Sequence, residues 1–167
     1  ITVDCGSLSA KEIKRSNELG VDIIVTDHHN VAPVQPPAVA VINPKRLLAD
    51  YPEEYENLVL KSTSKYNGKI YPFLDLAGVG VAFKLVQAMQ EKMTGLDNGQ
   101  EKWLLDLVAL GTVCDVVNLT NENRANVYWG LKVMAKTHRP GLKALMAVSG
   151  VNSDKITTKS LGFALGP

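Results

Sequence analysis

Two short runs put metal-ligating side chains where strands are expected to end. The apolar run Ile1-Thr2-Val3 stops at Asp4, and Val21-Asp22-Ile23-Ile24-Val25-Thr26 stops at Asp27-His28-His29. In open parallel sheets, ligands bind beyond the carboxyl ends of the strands, and neighbouring strands lie about 4.8 Å apart. If these two strands are neighbours, Asp4 and the Asp-His-His run share one small volume, on the scale of two divalent ions about 3.5–4 Å apart. Carboxylates combined with imidazoles suit Mn²⁺ or a similar ion, and no thiolate cluster argues for structural zinc. A third acidic candidate is Asp115, in Gly111-Thr112-Val113-Cys114-Asp115-Val116-Val117. It follows an apolar stretch, where an ionised carboxylate is costly unless a cation or hydrogen bonds compensate it.

Each of these residues also has a plainer role. Asp4 alone fits a turn or a helix cap, His28 and His29 a polar loop pair, and Asp115 a turn acceptor of backbone N–H groups. The run of two of the chain's three histidines behind an aspartate at a strand end favours the chemical reading. His138, beside Arg139 near a helix end, reads as solvated. Cys5 and Cys114 each adjoin a candidate ligand, but neighbouring side chains on a strand point opposite ways, so neither is expected to ligate. Gly78 and Gly80 could cradle a phosphate at a helix start, or could permit close helix–sheet packing. Their spacing is not a dinucleotide fingerprint.

The positioning elements read as strand, helix, strand over residues 1–43. Ser9-Ala10-Lys11-Glu12 has the capping-box pattern, Ile13 and Leu19 supply part of a buried face, and Gly20 is a C-terminal stop. The continuously apolar Ile23-Ile24-Val25 suits a strand covered on both faces, as in a parallel sheet. After a loop with Pro33, Pro36 and Pro37, a third strand is expected over 38–42. Residues 44–73 lack a strong period and read as an insertion or surface excursion. Residues 74–167 read as mainly helical: 75–93, with Ala82, Val86, Met89 and Met93 on one face, then 101–110, 120–136 with Val127, Leu131 and Met134 aligned, 139–150, and 157–165. The expected fold class is therefore α/β, a parallel sheet with flanking helices followed by a mainly helical part.

Composition narrows the class further. Of 167 residues, 46% are hydrophobic and 21% charged, so a core can form and wholesale disorder is excluded. The net charge of +1 does not announce a nucleic-acid binder, so any phosphate affinity must be local. No run approaches the ~20 apolar residues needed to span a bilayer, so no membrane partner is expected. Two cysteines imply no disulfide framework, and reduced thiols in the cytoplasm are the default. The chain opens inside an expected strand without Met, so we expect a piece of a longer protein.

Val25-Thr26-Asp27-His28-His29 resembles the signature of the DHH phosphoesterase superfamily, and Ile1-Thr2-Val3-Asp4-Cys5-Gly6 resembles the strand end that precedes it there. Leu76-Ala77-Gly78-Val79-Gly80-Val81-Ala82-Phe83-Lys84, Leu105 to Asp115, and Arg139-Pro140-Gly141-Leu142 narrow the resemblance to its RecJ-like single-strand-specific exonucleases. It covers essentially the whole chain.

The resemblance implies a DHH catalytic domain cleaving single-stranded DNA 5′ to 3′ in recombination and repair, with Mn²⁺ or Mg²⁺ as cofactor. Single-strand-binding protein and other repair proteins are the implied partners. Asp4 would bridge two metals, His28 and Asp115 would bind one of them, His29 would contact the scissile phosphate, and Asp27 would orient the histidines. The family's Asp-x-Asp strand and its Arg/Asn/Gly segment are not in this sequence, and Cys114 and Asn118 stand where Ala and Pro are more usual. We therefore expect the piece alone to bind metal weakly and to show little nuclease activity. Two other readings are a phosphodiesterase for short oligonucleotides or cyclic dinucleotides, and a non-catalytic relative that binds nucleic acid or protein.

Overall fold

The computed structural model describes residues 1–53, 55 and 71–167, and the chain falls into two compact units, Ile1–Val81 and Ala82–Pro167. The first holds a three-stranded sheet of β1 (Thr2–Val3), β2 (Ile24–Thr26) and β3 (Ala40–Ile42), all parallel, in the order β1-β2-β3. Thr2 pairs with Val25 and Val3 with Thr26, while Val25 pairs with Val41 and Thr26 with Ile42. The expected fold class therefore holds.

The central strand explains its own apolar run, since Val25 is fully buried between its neighbours. The strands are shorter than expected. Residues 21–23 and 38–39 lie outside β2 and β3, although the Val39 N–H still bonds the Ile23 carbonyl at 2.8 Å.

Helix α1 (Ala10–Glu18) connects β1 to β2 and buries Ile13. The expected capping box does not form: Ser9 makes no side-chain cap bond. Its backbone (φ −90°, ψ 44°) is not the extended conformation from which an N-cap oxygen reaches back to the first turn. Leu19, expected on the buried face, is exposed, because it caps the helix end. The C-terminus ends as expected, with Gly20 at φ +72° and the Val21 N–H bonded to the Ser16 carbonyl at 3.0 Å.

Within the segment expected as a surface excursion, α2 (Arg46–Asp50) forms, and Arg46 Nε donates to both Asp50 carboxylate oxygens at 2.9 Å. Residues 54 and 56–70 of that segment lie outside the described residues. Phe73, Leu76 and Val81 then pack with Tyr71 and Ile42 in the core of this unit.

Helix α3 (Gly78–Lys92) runs from one unit into the other. Its buried stripe differs from expectation. Met89 and Met93 are 42% and 51% exposed, while Val81 and Phe83 are 2% and 6% exposed. Apolar residues surround the first two turns, so spacing alone admits more than one stripe.

The second unit is helical. A 3₁₀ turn (Gln100–Leu104) leads into α4 (Leu105–Cys114), α5 (Asn121–Met134), α6 (Pro140–Val148) and α7 (Thr158–Ser160), which runs into a π-helical turn at Leu161–Leu165. Ala109, Val127, Met134, Leu142, Met146, Leu161 and Leu165 form its core. The expected alignment of Val127, Leu131 and Met134 is thus the buried face of α5.

Buried Asp106 on α4 ties this unit together. It accepts from Thr137 Oγ1 at 2.9 Å and from Arg139 Nε at 3.0 Å, just before Pro140 opens α6. No helix among the described residues is long and apolar enough to cross a membrane.

The approach of α4 to α5 depends on Gly130, where an added Cβ would collide with the Leu105 carbonyl oxygen and the Ala109 Cβ. Backbone cannot move aside as a side chain can, so Gly130→Ala is expected to destabilise by about 1–3 kcal/mol. Urea unfolding followed by circular dichroism checks this, and a variant indistinguishable from the parent would contradict the packing.

Candidate metal centre

The ends of β1 and β2 lie side by side, so the residues that follow them converge. The Asp4 N–H continues the ladder to the Thr26 carbonyl at 2.9 Å, and the Asp27 N–H to that of Ile42 at 3.0 Å. The chain then departs from strand geometry. Asp4 has φ +65°, a left-handed conformation uncommon for a non-glycine residue and often found at functional sites. Thr2 and Thr26 brace it: Thr2 Oγ1 donates to the Cys5 carbonyl at 2.8 Å, and Thr26 Oγ1 to that of Thr2 at 2.7 Å.

His28 turns its Nε2 to within 3.0 Å of Asp4 Oδ1. The rings of His28 and His29 meet edge to face, with centroids 4.6 Å apart. Asp4, His28 and His29 each offer a ligand atom, and these atoms all lie within 4.8 Å of one another. One carboxylate and two imidazoles form a donor set that fits Mn²⁺. The strand ends therefore bring together three of the residues read from sequence.

Asp27 lies beneath them and is only 1% exposed. Its Oδ1 accepts from the N–H groups of His28 at 2.8 Å and His29 at 3.2 Å, and lies 2.8 Å from His29 Nδ1. Its Oδ2 accepts from the Ser7 N–H at 2.9 Å. Burial alone would raise the carboxyl pKa, but the Ser7 N–H, the His29 ring, the Ser7 hydroxyl and the His29 N–H outweigh it and hold the group well below the usual carboxylate range. Because Asp27 accepts at His29 Nδ1, that nitrogen carries the proton, and in the neutral ring the lone pair that can ligate a cation is on Nε2.

Asp115 belongs to the second unit. It caps the C-terminus of α4, with its N–H bonded to the Gly111 carbonyl at 2.9 Å, and is half-buried.

Two contributors escaped the sequence reading. Ser7 and Asn43 bond to the Asp27-His28-His29 run, and Asn43 follows the end of β3 just as Asp4 and Asp27 follow theirs. Applying the strand-end rule to the third strand would have found it. For Gly78, the sequence left two roles open, and the contact favours packing. An added Cβ would lie 2.7 Å from Asp4 Cα and closer still to its carboxylate, so only glycine lets α3 begin against Asp4.

This geometry can be tested at two positions. Gly78→Ala is expected to destabilise by about 1–3 kcal/mol and clearly more than Gly80→Ala, whose added methyl meets only the Leu76 side chain, at 3.1 Å. Thermal melts of the two variants compare them. Asp27, with its folded pKa depressed, contributes stability that is complete above its unfolded pKa of about 4 and drains as pH falls below that value. Asp27→Asn should therefore lower the melting temperature at pH 7, and the gap to the parent should narrow steadily below about pH 4.

Residues 1–112 match the DHH family, N-terminal domain. The chain is 38% identical over 167 residues to the single-stranded-DNA-specific exonuclease RecJ of Bacillus subtilis, covering all of this chain and 18% of that protein. It is 37% identical over 178 residues to RecJ of Escherichia coli, again covering all of this chain and 27% of that protein. Among solved structures, a manganese-bound exonuclease RecJ superposes with a TM-score of 0.71 at 29% identity, over 99% of this chain and 36% of that one. RecJ of Thermus thermophilus in complex with Mn²⁺ gives a TM-score of 0.67 at 29% identity, over 99% and 21%. The chain thus spans 18–27% of the length of these curated relatives. With the family match reaching through residue 112, and an Asp-His-His run where the strand ends converge, this chain belongs to the DHH family.

Proposed function

We propose that this chain is part of the catalytic domain of a metal-dependent exonuclease that hydrolyses single-stranded DNA from the 5′ end in recombination and repair. The observation that carries this reading is the convergence of Asp4, His28 and His29 within 4.8 Å at the carboxyl ends of two neighbouring parallel strands. The relatives named as single-stranded-DNA-specific exonucleases supply the substrate class. A cytoplasmic enzyme working with single-strand-binding protein and other repair proteins goes with the same reading.

Asp4, His28 and Asp115 are the proposed ligands for Mn²⁺ or Mg²⁺. When bound, such ions lower the pKa of water to make a nucleophile at neutral pH and neutralise charge on the phosphate oxygens. The chain's own residues do the positioning. Asp4 and His28 present their donor atoms from adjacent strand ends. Asp27 holds the His29 ring through Nδ1, and His29 is the proposed contact for the scissile phosphate. The sheet and the start of α3 hold Asp4 in its left-handed conformation.

A two-ion centre needs more protein donors than the three that converge among the described residues. The 167-residue chain by itself is therefore expected to bind Mn²⁺ weakly and to turn over little DNA. Robust exonuclease activity of the isolated chain would refute this expectation.

In the longer protein that contains this chain, degradation of 5′-labelled single-stranded DNA should fall more than about 100-fold on His28→Ala. On Asp27→Asn it should fall about 10–100-fold, the usual effect of removing a residue that orients a ligand. Faster hydrolysis of dinucleotides than of long single strands would overturn the exonuclease reading in favour of a short-oligonucleotide phosphodiesterase. Full activity after His28→Ala would overturn the metal centre.

A further inference from the structure

The third strand also ends on a buried polar side chain. Asn43 follows β3 and is 8% exposed, and its amide is committed on both sides. Nδ2 donates to Ser7 Oγ at 2.8 Å and to the His29 carbonyl at 2.9 Å, while Oδ1 accepts from the Lys45 N–H at 2.9 Å. The bond to Lys45 is an ordinary local turn, of the kind Asn makes with its own backbone two residues on. The two donated bonds are not local. They cross 36 residues to Ser7 and 14 to His29, and so tie the segment after β1 to the segment after β2.

The direction of these bonds matters. An amide nitrogen only donates, so Ser7 Oγ must accept from Asn43, which leaves the Ser7 hydroxyl hydrogen for another acceptor. The Ser7 backbone N–H in turn donates to the Asp27 carboxylate, at Oδ2, over 2.9 Å. With Oδ2 held from the Ser7 side, Oδ1 is left to face the His29 ring at 2.8 Å. The hydrogen bonds therefore run one way, from Asn43 through Ser7 to Asp27, with the His29 ring donating into the same carboxylate.

We propose that Asn43 is a positioning residue for the metal centre: by donating to Ser7 and to the His29 backbone it fixes the Asp27 carboxylate, and through it the tautomer and orientation of the His29 ring. Its consequence for catalysis rests on the function proposed above. The arrangement itself does not, because it is made only of hydrogen bonds among the chain's own residues.

The test reads the imidazole nitrogens directly. Two-bond ¹H–¹⁵N spectra of the metal-free 167-residue chain contain only three histidines, with exposed His138 in the second unit as internal standard. The parent should show His29 protonated at Nδ1. Asn43→Asp keeps the shape and the acceptor for Lys45 but replaces both donated hydrogens with an acceptor, so the tie to the His29 carbonyl is lost and the Ser7 hydroxyl must reverse to donate to residue 43. Ser7→Ala removes the hydroxyl and leaves the Asn43–His29 bond intact. Each should shift the His29 tautomer ratio about five- to tenfold, the scale of one lost hydrogen bond, with His138 unmoved.

A residue that merely closed a turn would lower the melting temperature without changing the ring. An unchanged His29 tautomer in both variants therefore overturns the proposal. Ser7→Ala decides alone where the Asn43 variant does not fold. Because neither metal nor substrate is present, failure here leaves the exonuclease reading standing, and an inactive longer protein leaves this inference standing.

Discussion

A carboxylate with almost no exposure, Asp27, governs the first unit. Burying an ionised group is costly unless hydrogen bonds replace its water, and here they come from two separate segments of the chain. The N–H groups of His28 and His29 turn the backbone after β2 over the carboxylate, the His29 ring closes on the same oxygen, and Ser7 brings in the segment after β1. The charge is held by the loops that carry the candidate ligands. Satisfying Asp27 and building the site are the same act.

The sheet makes this arrangement possible. Parallel pairing aligns the carboxyl ends of β1, β2 and β3, so a polar residue just beyond each end falls into one neighbourhood. Asp4, Asp27 and Asn43 occupy those positions. The cost appears in the backbone of Asp4, whose left-handed conformation persists because its N–H remains in the ladder and Gly78 lets α3 start against it. The second unit solves a related problem with Asp106, which bonds Thr137 and Arg139 and joins the start of α4 to the start of α6.

Much of this was legible in the residues. Two apolar runs ending on Asp4 and Asp27-His28-His29 announced parallel strands with candidate ligands at their tips, and the α5 stripe of Val127, Leu131 and Met134 followed from spacing alone. What was not legible depended on tertiary context. Ser9 and Glu12 carry the capping pattern, but the turn from Gly6 sets Ser9 in a conformation that cannot use it. The apolar surround of early α3 hid which stripe would be buried. Gly78 could be assigned to packing only once Asp4 was seen against it. Asn43 was not singled out from sequence, because its partners lie 36 and 14 residues away.

The central claim is that the strand-end imidazole of His28 is a metal ligand. Electron spin echo spectroscopy of Mn²⁺ bound to the longer protein, prepared with ¹⁵N-labelled histidine, tests it most directly. The account predicts a directly coordinated histidine nitrogen whose coupling disappears in His28→Ala. Tightly bound Mn²⁺ with no histidine coupling, or a coupling unchanged by His28→Ala, would contradict it.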